Sequence, residues 1–138
     1  MGAIAPAFVS MVAATSALTA IIADRVYPAH VKIADKVYPL IAYKIDNFTT
    51  SSTYDASANK LRSCHITVAC IDTTYAGADR LAEAVLAIDG TDGTWGDTVI
   101  QGCFLNEDSI SDDVVTEPET EAILYFIKEL SFLVWYVA

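Results

Sequence analysis

Positive charge is scarce in this chain of 138 residues: 8 Lys and Arg stand against 18 Asp and Glu, a net charge of −10. Phosphate contacts need Lys and Arg, so the balance argues against a nucleic-acid binder. No Gly-rich phosphate loop, Ser-His-Asp arrangement or paired metal motif occurs, which makes the chain a poor enzyme candidate. Lys and Arg are also missing from the first 24 residues. The apolar start, which includes MVAATSALTA, therefore lacks the positive n-region of a secretory signal. Pro6 and four hydroxyl residues (Ser10, Thr15, Ser16 and Thr19) make the same stretch a poor membrane span. With secretion set aside, the Asn47-Phe48-Thr49 glycosylation sequon means little.

Cysteine is sparse. Cys64, Cys70 and Cys103 cannot all pair internally, so the expected state is buried thiols in a reducing compartment. On a shared strand Cys64 and Cys70 face one side, but about 20 Å apart at ~3.3 Å per residue, beyond the reach of one zinc ion. No catalytic, cofactor or metal residue is assigned. His65 reads as a partly exposed sheet residue, and His30 has no suggestive neighbours. Glu107, Asp108, Asp112, Asp113, Glu117, Glu119 and Glu121 could bind a cation or supply paired carboxylates, but their setting reads as an acidic loop over 107–121. The stretch DGTDGTWGD lacks the alternate-position ligands of a calcium loop and reads as a turn after a helix.

What the chain does have is apolar residues, 54 % of the total. That is more than a small monomer readily hides, and it leans towards burial between subunits. The length suits one domain over 1–138. Charge is divided unevenly: up to Arg80 there are 6 acidic and 7 basic residues, and from Leu81 onward 12 acidic residues face the single Lys128. Such asymmetry predicts one strongly negative face.

Periodicity supplies the elements. Ile4, Phe8, Met11, Leu18 and Ile22, with Thr15 filling the gap, make one helical stripe and predict a helix from about Ala7 to Ala23. The triplet Val26-Tyr27-Pro28 returns as Val37-Tyr38-Pro39. The first follows the helix and closes it; the second opens a strand in which Ile41, Tyr43 and Ile45 alternate with polar or small residues. Unmatched flanks exclude an internal repeat. Residues 46–60 are polar and predict an extended hairpin tip before a second strand, where Cys64, Ile66, Val68 and Cys70 alternate. Ala78, Leu81, Ala82, Val85 and Ile88 form a helix stripe, with Thr74 as N-cap and Gly90 as stop. TVIQGCFLN and ILYFIKELSFLVWYV read as two further strands. The order α-β-β-α-β-β predicts an α+β fold with a mixed, mainly antiparallel sheet flanked by helices.

At this level of detail the chain resembles a known family. An N-terminal helix runs into DRVYP, a Tyr-Pro-led strand KVYPLIAYKI follows, and LRSCHITVACIDTTYAGADRLAEAV feeds a strand into a helix. KELSFLVWYV closes the pattern. This is similar to the tail-completion proteins of long-tailed bacteriophages, the tail terminator and tail-to-head joining group. A relative from a gene transfer agent or prophage would look the same. The resemblance covers most of residues 16–137, with its most specific parts at Arg25–Pro28, Tyr38–Tyr43 and Ile66–Val85; residues 1–15 extend beyond it. It implies a structural virion protein without cofactor, a hexameric ring at the head-proximal end of the tail tube. Its partners would be its own copies, the tube protein and the head connector. DNA would pass through the hole without specific binding; the negative second half suits a lining it slides past, and the acidic segment would line the bore or face a partner. The 46–60 tip would touch the tube or a neighbouring subunit. A secreted or periplasmic binding domain, and a small hydrolase using His65, are the rival readings.

Overall fold

The apolar stripe Ile4, Phe8, Met11, Leu18 and Ile22 is buried along its whole length, as its spacing predicts, but two helices share it. The computed structural model describes residues 4–31, 36–50, 61–117, 119 and 122–137. In it α1 spans Ile4–Ala13 and α2 spans Ser16–Ile22, with an 86° bend between them. Thr15 takes an extended backbone at the break, and its hydroxyl donates to the Met11 carbonyl at 2.9 Å. A β-branched hydroxyl residue beside a serine favours leaving the helix there. No single helix among the described residues is long and apolar enough to cross a membrane.

The first Val-Tyr-Pro triplet does not close the helix. Ala23 (φ +52°) turns the chain, and Val26–Pro28 forms β1, parallel to Ile41–Tyr43 of β2 (Leu40–Thr50). Arg25 secures this corner, donating from Nε to the Pro39 carbonyl at 2.8 Å and from Nη2 to the Ile21 carbonyl at 3.0 Å. β2 then pairs antiparallel with β3 (Leu61–Asp72). The expected tip from residue 46 is too early: β2 continues to Thr50. A bulge between Asp46 and Thr49, with Asn47 at φ +54°, lets it do so; Asn tolerates that backbone better than most residues. Residues 51–60 of the expected tip lie outside the described residues.

α3 (Tyr75–Val85) starts where Thr74 predicts, its hydroxyl accepting from the Gly77 N–H at 3.1 Å. A 3₁₀ turn, Leu86–Ile88, follows, and Gly90 reverses the chain at φ +79°. The DGTDGTWGD loop contains β4 (Gly93–Trp95), hairpinned onto Thr98–Ile100 of β5 (Thr98–Thr116). β6 (Ile123–Val137) completes a six-stranded sheet ordered β1-β2-β3-β6-β5-β4. The fold is α+β with a mixed, mostly antiparallel sheet, but the order has more elements than predicted: two helices for one, and two extra three-residue strands. The acidic loop expected over 107–121 needs a further correction, since residues 107–116 belong to β5. Acid density suggested a loop, whereas an exposed edge strand carries charge readily.

The helices cover one face of the sheet. Cys64, Ile66, Val68 and Cys70 of β3 and Leu130, Phe132, Val134 and Tyr136 of β6 are buried beneath them. A bulge between Ile100 and Gly102 brings both Ile100 and Cys103 of β5 into the same core. Ile4, Phe8, Met11 and Leu18 lie in this core at 0–1 % exposure, so a leader cleaved near residue 20 would take part of it away. On the opposite face Leu40, Ala42 and Ile71 form a smaller cluster with Tyr27, Tyr38, Tyr125 and Ile127.

Candidate assembly surface

Two stretches of this sheet stand apart from the core, one at each side. The first is the far half of the β5–β6 hairpin, here called the arm. Between Asn106 and Ser111 β5 advances five residues while β6 advances two, from Ser131 to Glu129. Ser109 stabilises the excess: its hydroxyl donates to the Asn106 carbonyl at 2.6 Å and accepts from the Ser131 N–H at 3.0 Å. A side chain thus fills a ladder position that the β5 backbone has vacated.

Beyond the bulge, ladder pairing resumes from Ser111↔Glu129 to Thr116↔Ile123. Lys128 fastens the arm's root to α3, with Nζ 2.8 Å from Asp79 Oδ1 and 3.9 Å from Asp112 Oδ1. Its ammonium is held above the ordinary lysine pKa, chiefly by the Asp79 hydrogen bond. Tyr75 meets Phe126 edge-on at 5.9 Å, and on the other face Tyr38 stacks on Tyr125 at 5.6 Å. A hollow of about 270 Å³ lies among Tyr75, Asp112, Asp113, Val114 and Phe126. Further out the arm exposes apolar side chains: Val114 at 44 %, Ile123 at 53 % and Leu124 at 46 %. Glu107, Asp112, Asp113, Glu117 and Glu119 are exposed around them. Of the seven acidic residues singled out from sequence, these five are on or beside the arm's outer strand; Asp108's side chain and Glu121 lie outside the described residues.

The second stretch is the outer edge of β2. β1 covers it only as far as Tyr43, where the Ala29 N–H donates to the Tyr43 carbonyl at 2.8 Å. From Ile45 onward no strand lies beside it among the described residues. An open groove of about 560 Å³ runs here, lined by Ala5, Pro28, Ala29, His30, Tyr43, Lys44 and Ile45. A second, of about 320 Å³, borders Lys44 and Asp46 on the other face. Lys44 is 68 % exposed with Asp46 at 3.7 Å, and Lys36 sits 5.0 Å above the Tyr27 ring.

The remaining candidates do not converge on a site. His65 is partly exposed on β3, with Nδ1 2.9 Å from Asn47 Nδ2. Cys64, Cys70 and Cys103 are buried free thiols, and burial pushes each up to about 12, which suppresses the reactive thiolate. Among the described residues no three His, Cys, Asp or Glu side chains come together as metal ligands. The arm's outer strand left no alternating signal in DSISDDVVT, whose apolar residues are Ile110, Val114 and Val115 among acidic neighbours.

Comparison with known proteins gives fold and little sequence. No family model matches the chain, and no curated protein matches it. Among solved structures it is similar to a chain in the virion of a native gene transfer agent (GTA) particle. The TM-score is 0.68 at 15 % identity, covering 94 % of this chain and 90 % of that one. At so low an identity the likeness is one of fold.

Proposed function

We propose that this chain is a structural subunit of a phage-type virion. It forms a ring, hexameric by the family resemblance, at the head-proximal end of a tail tube, where it ends the tube, joins it to the head connector, or both. The observation that carries this reading is a fold shared along nearly the whole chain with a component of a gene transfer agent virion. Two features of the molecule support it. A sheet whose outer strands β2 and β5 are only partly covered among the described residues suits a part completed by its neighbours. The acidic second half suits a passage that DNA slides through, because like charge discourages sticking. The role needs neither catalysis nor cofactor. Burial of α1 and α2 in the core supports keeping those residues in the working protein rather than removing them as a secretory signal.

Native mass spectrometry of the purified protein, alone and with tail tubes, tests the reading. The expected result is a sixfold multiple of 14.9 kDa, free or on the tube end. A chain that remains monomeric and ignores tubes overturns it.

A further inference from the structure

The sheet is closed at each side by a strand of three residues. β1 covers only Ile41–Tyr43 of β2, and β4 covers only Thr98–Ile100 of β5. On the β5 side the Gly90 N–H reaches the Cys103 carbonyl and Asp89 accepts from the Leu105 N–H at 2.8 Å. Past these caps, β2 from Ile45 and β5 from Glu107 have no strand beside them among the described residues. Open edges of this length are templates for pairing with another chain.

Charge decides which edges can meet. Two β5 edges would bring Glu107, Asp112 and Asp113 of one copy against those of another, and like charges across a ladder repel. The β2 edge carries Lys44 beside Asp46 instead, so it sets no net negative charge against the acidic strand and leaves an ammonium for it to meet. Strand direction agrees: β2, β3, β6 and β5 alternate, so β5 of a second copy in the same orientation lies antiparallel to β2, the pairing that hydrogen-bonds best. The apolar groove of Ala5, Pro28, Ala29, Tyr43 and Ile45 adjoins this edge and gives Val114, Ile123 and Leu124 of the arm a place out of water.

We infer that the arm of one copy docks along the open β2 edge of the next, extending the sheet from subunit to subunit. The inference rests on the self-assembling reading above and names the seam. The contact is head-to-tail, the type that closes into rings or runs on as filaments. Lys44 is abreast of Ser131, through its partner Thr67, whereas the arm's Asp113 is abreast of Ile127. Setting Lys44 across from Asp113 therefore staggers the neighbours along the strand by about four residues, roughly 13 Å. Such a stagger closes into a ring when the strands incline to the ring axis, as they do in a sheared barrel.

The test is a charge exchange read by native mass spectrometry. One variant carries Lys44→Glu; the other carries Glu107→Lys and Asp113→Lys. All three positions are exposed, and circular dichroism checks that each variant folds. The wild type is expected to assemble and each variant to fall to monomer. An equimolar mixture should regain the wild-type oligomer with the two variants in equal number, since every alternating seam then joins opposite charges. If either variant assembles as the wild type does, or the mixture does not recover, the seam is wrong and the ring reading stands. A wild-type chain that stays monomeric with and without tubes removes both.

Discussion

The centre of the sheet and its arm are consecutive parts of the same two strands, β5 and β6, yet they are built by different rules. In the centre, β3 and β6 pair without a slip from Leu61↔Val137 to Asp72↔Phe126. Every second side chain there is buried under the helices, from Leu130 at 1 % to Phe132 and Val134 at 0 %. At the outer end of the arm Val114, Ile123 and Leu124 are exposed among carboxylates, while Tyr125, Phe126 and Ile127 at its root still pack against the body. The bulge between Asn106 and Ser111 divides the two. A one-residue slip in a buried strand sends its whole apolar set to the wrong face, so the centre permits only one arrangement. The outer end of the arm, past the contacts of Lys128, Phe126 and Tyr125, has no such burial to fix it.

The sharpest way to break the comparison is to injure the centre. Phe132→Ala empties a fully buried site between Ile66 and Leu105. Denaturant unfolding should show a loss of about 3–5 kcal/mol, transfer and cavity terms together. A loss below ~1 kcal/mol would mean that the helices do not seal this face.

Alkaline pH separates the regions next, through groups that titrate differently in each. In the centre a buried thiol keeps its proton up to about 12, against an ordinary value of 9.0. The unfolded chain ionises first, so this stability is whole below pH 9 and is lost as pH rises towards 12. At the arm's root Lys128 has its pKa raised above 10.5, first by the Asp79 hydrogen bond. Its contribution is likewise complete below 10.5 and lost as pH rises through the folded value. Unfolding midpoints measured from pH 7 to 11 should fall, with the decline beginning near 9. Lys128→Met should leave the onset near 9 in place and flatten the curve above 10.5. If the onset itself moves, the thiols are not its cause.

The same division governs how much could be read from the sequence. The central strands were legible because burial on one face writes a period of two: Cys64, Ile66, Val68 and Cys70 announce it, and Ala78, Leu81, Ala82 and Val85 announce α3 by a period near four. The break at Thr15 was hidden, since α1 and α2 keep their apolar residues on one continuous stripe across the bend. β1 and β4 were hidden by brevity; three residues cannot establish a period. The outer strand of the arm was hidden by composition. Exposed on its outer edge, it needs no buried side chain at alternate positions, and a tertiary partner, β6, makes it a strand. The β2-edge groove was invisible for a related reason, because it depends on where β1 stops pairing and not on any run of residues.

The smallest expected effect sharpens the comparison most. Val114→Ser with Ile123→Ser replaces two exposed apolar side chains of the arm. Stability of the isolated chain should change by no more than about 1 kcal/mol for the pair, because each residue is about half exposed. Both would be withdrawn from water in the proposed seam, so the concentration at which the wild type assembles should be insufficient for the double variant. Unfolding and native mass spectrometry on one preparation read both quantities. A stability loss like that of Phe132→Ala would make the arm part of the core. Unchanged assembly would mean that these residues face something other than a neighbouring copy. Only a variant that folds as well and assembles worse keeps the two regions distinct: one holds the fold, and the other is shaped for contact.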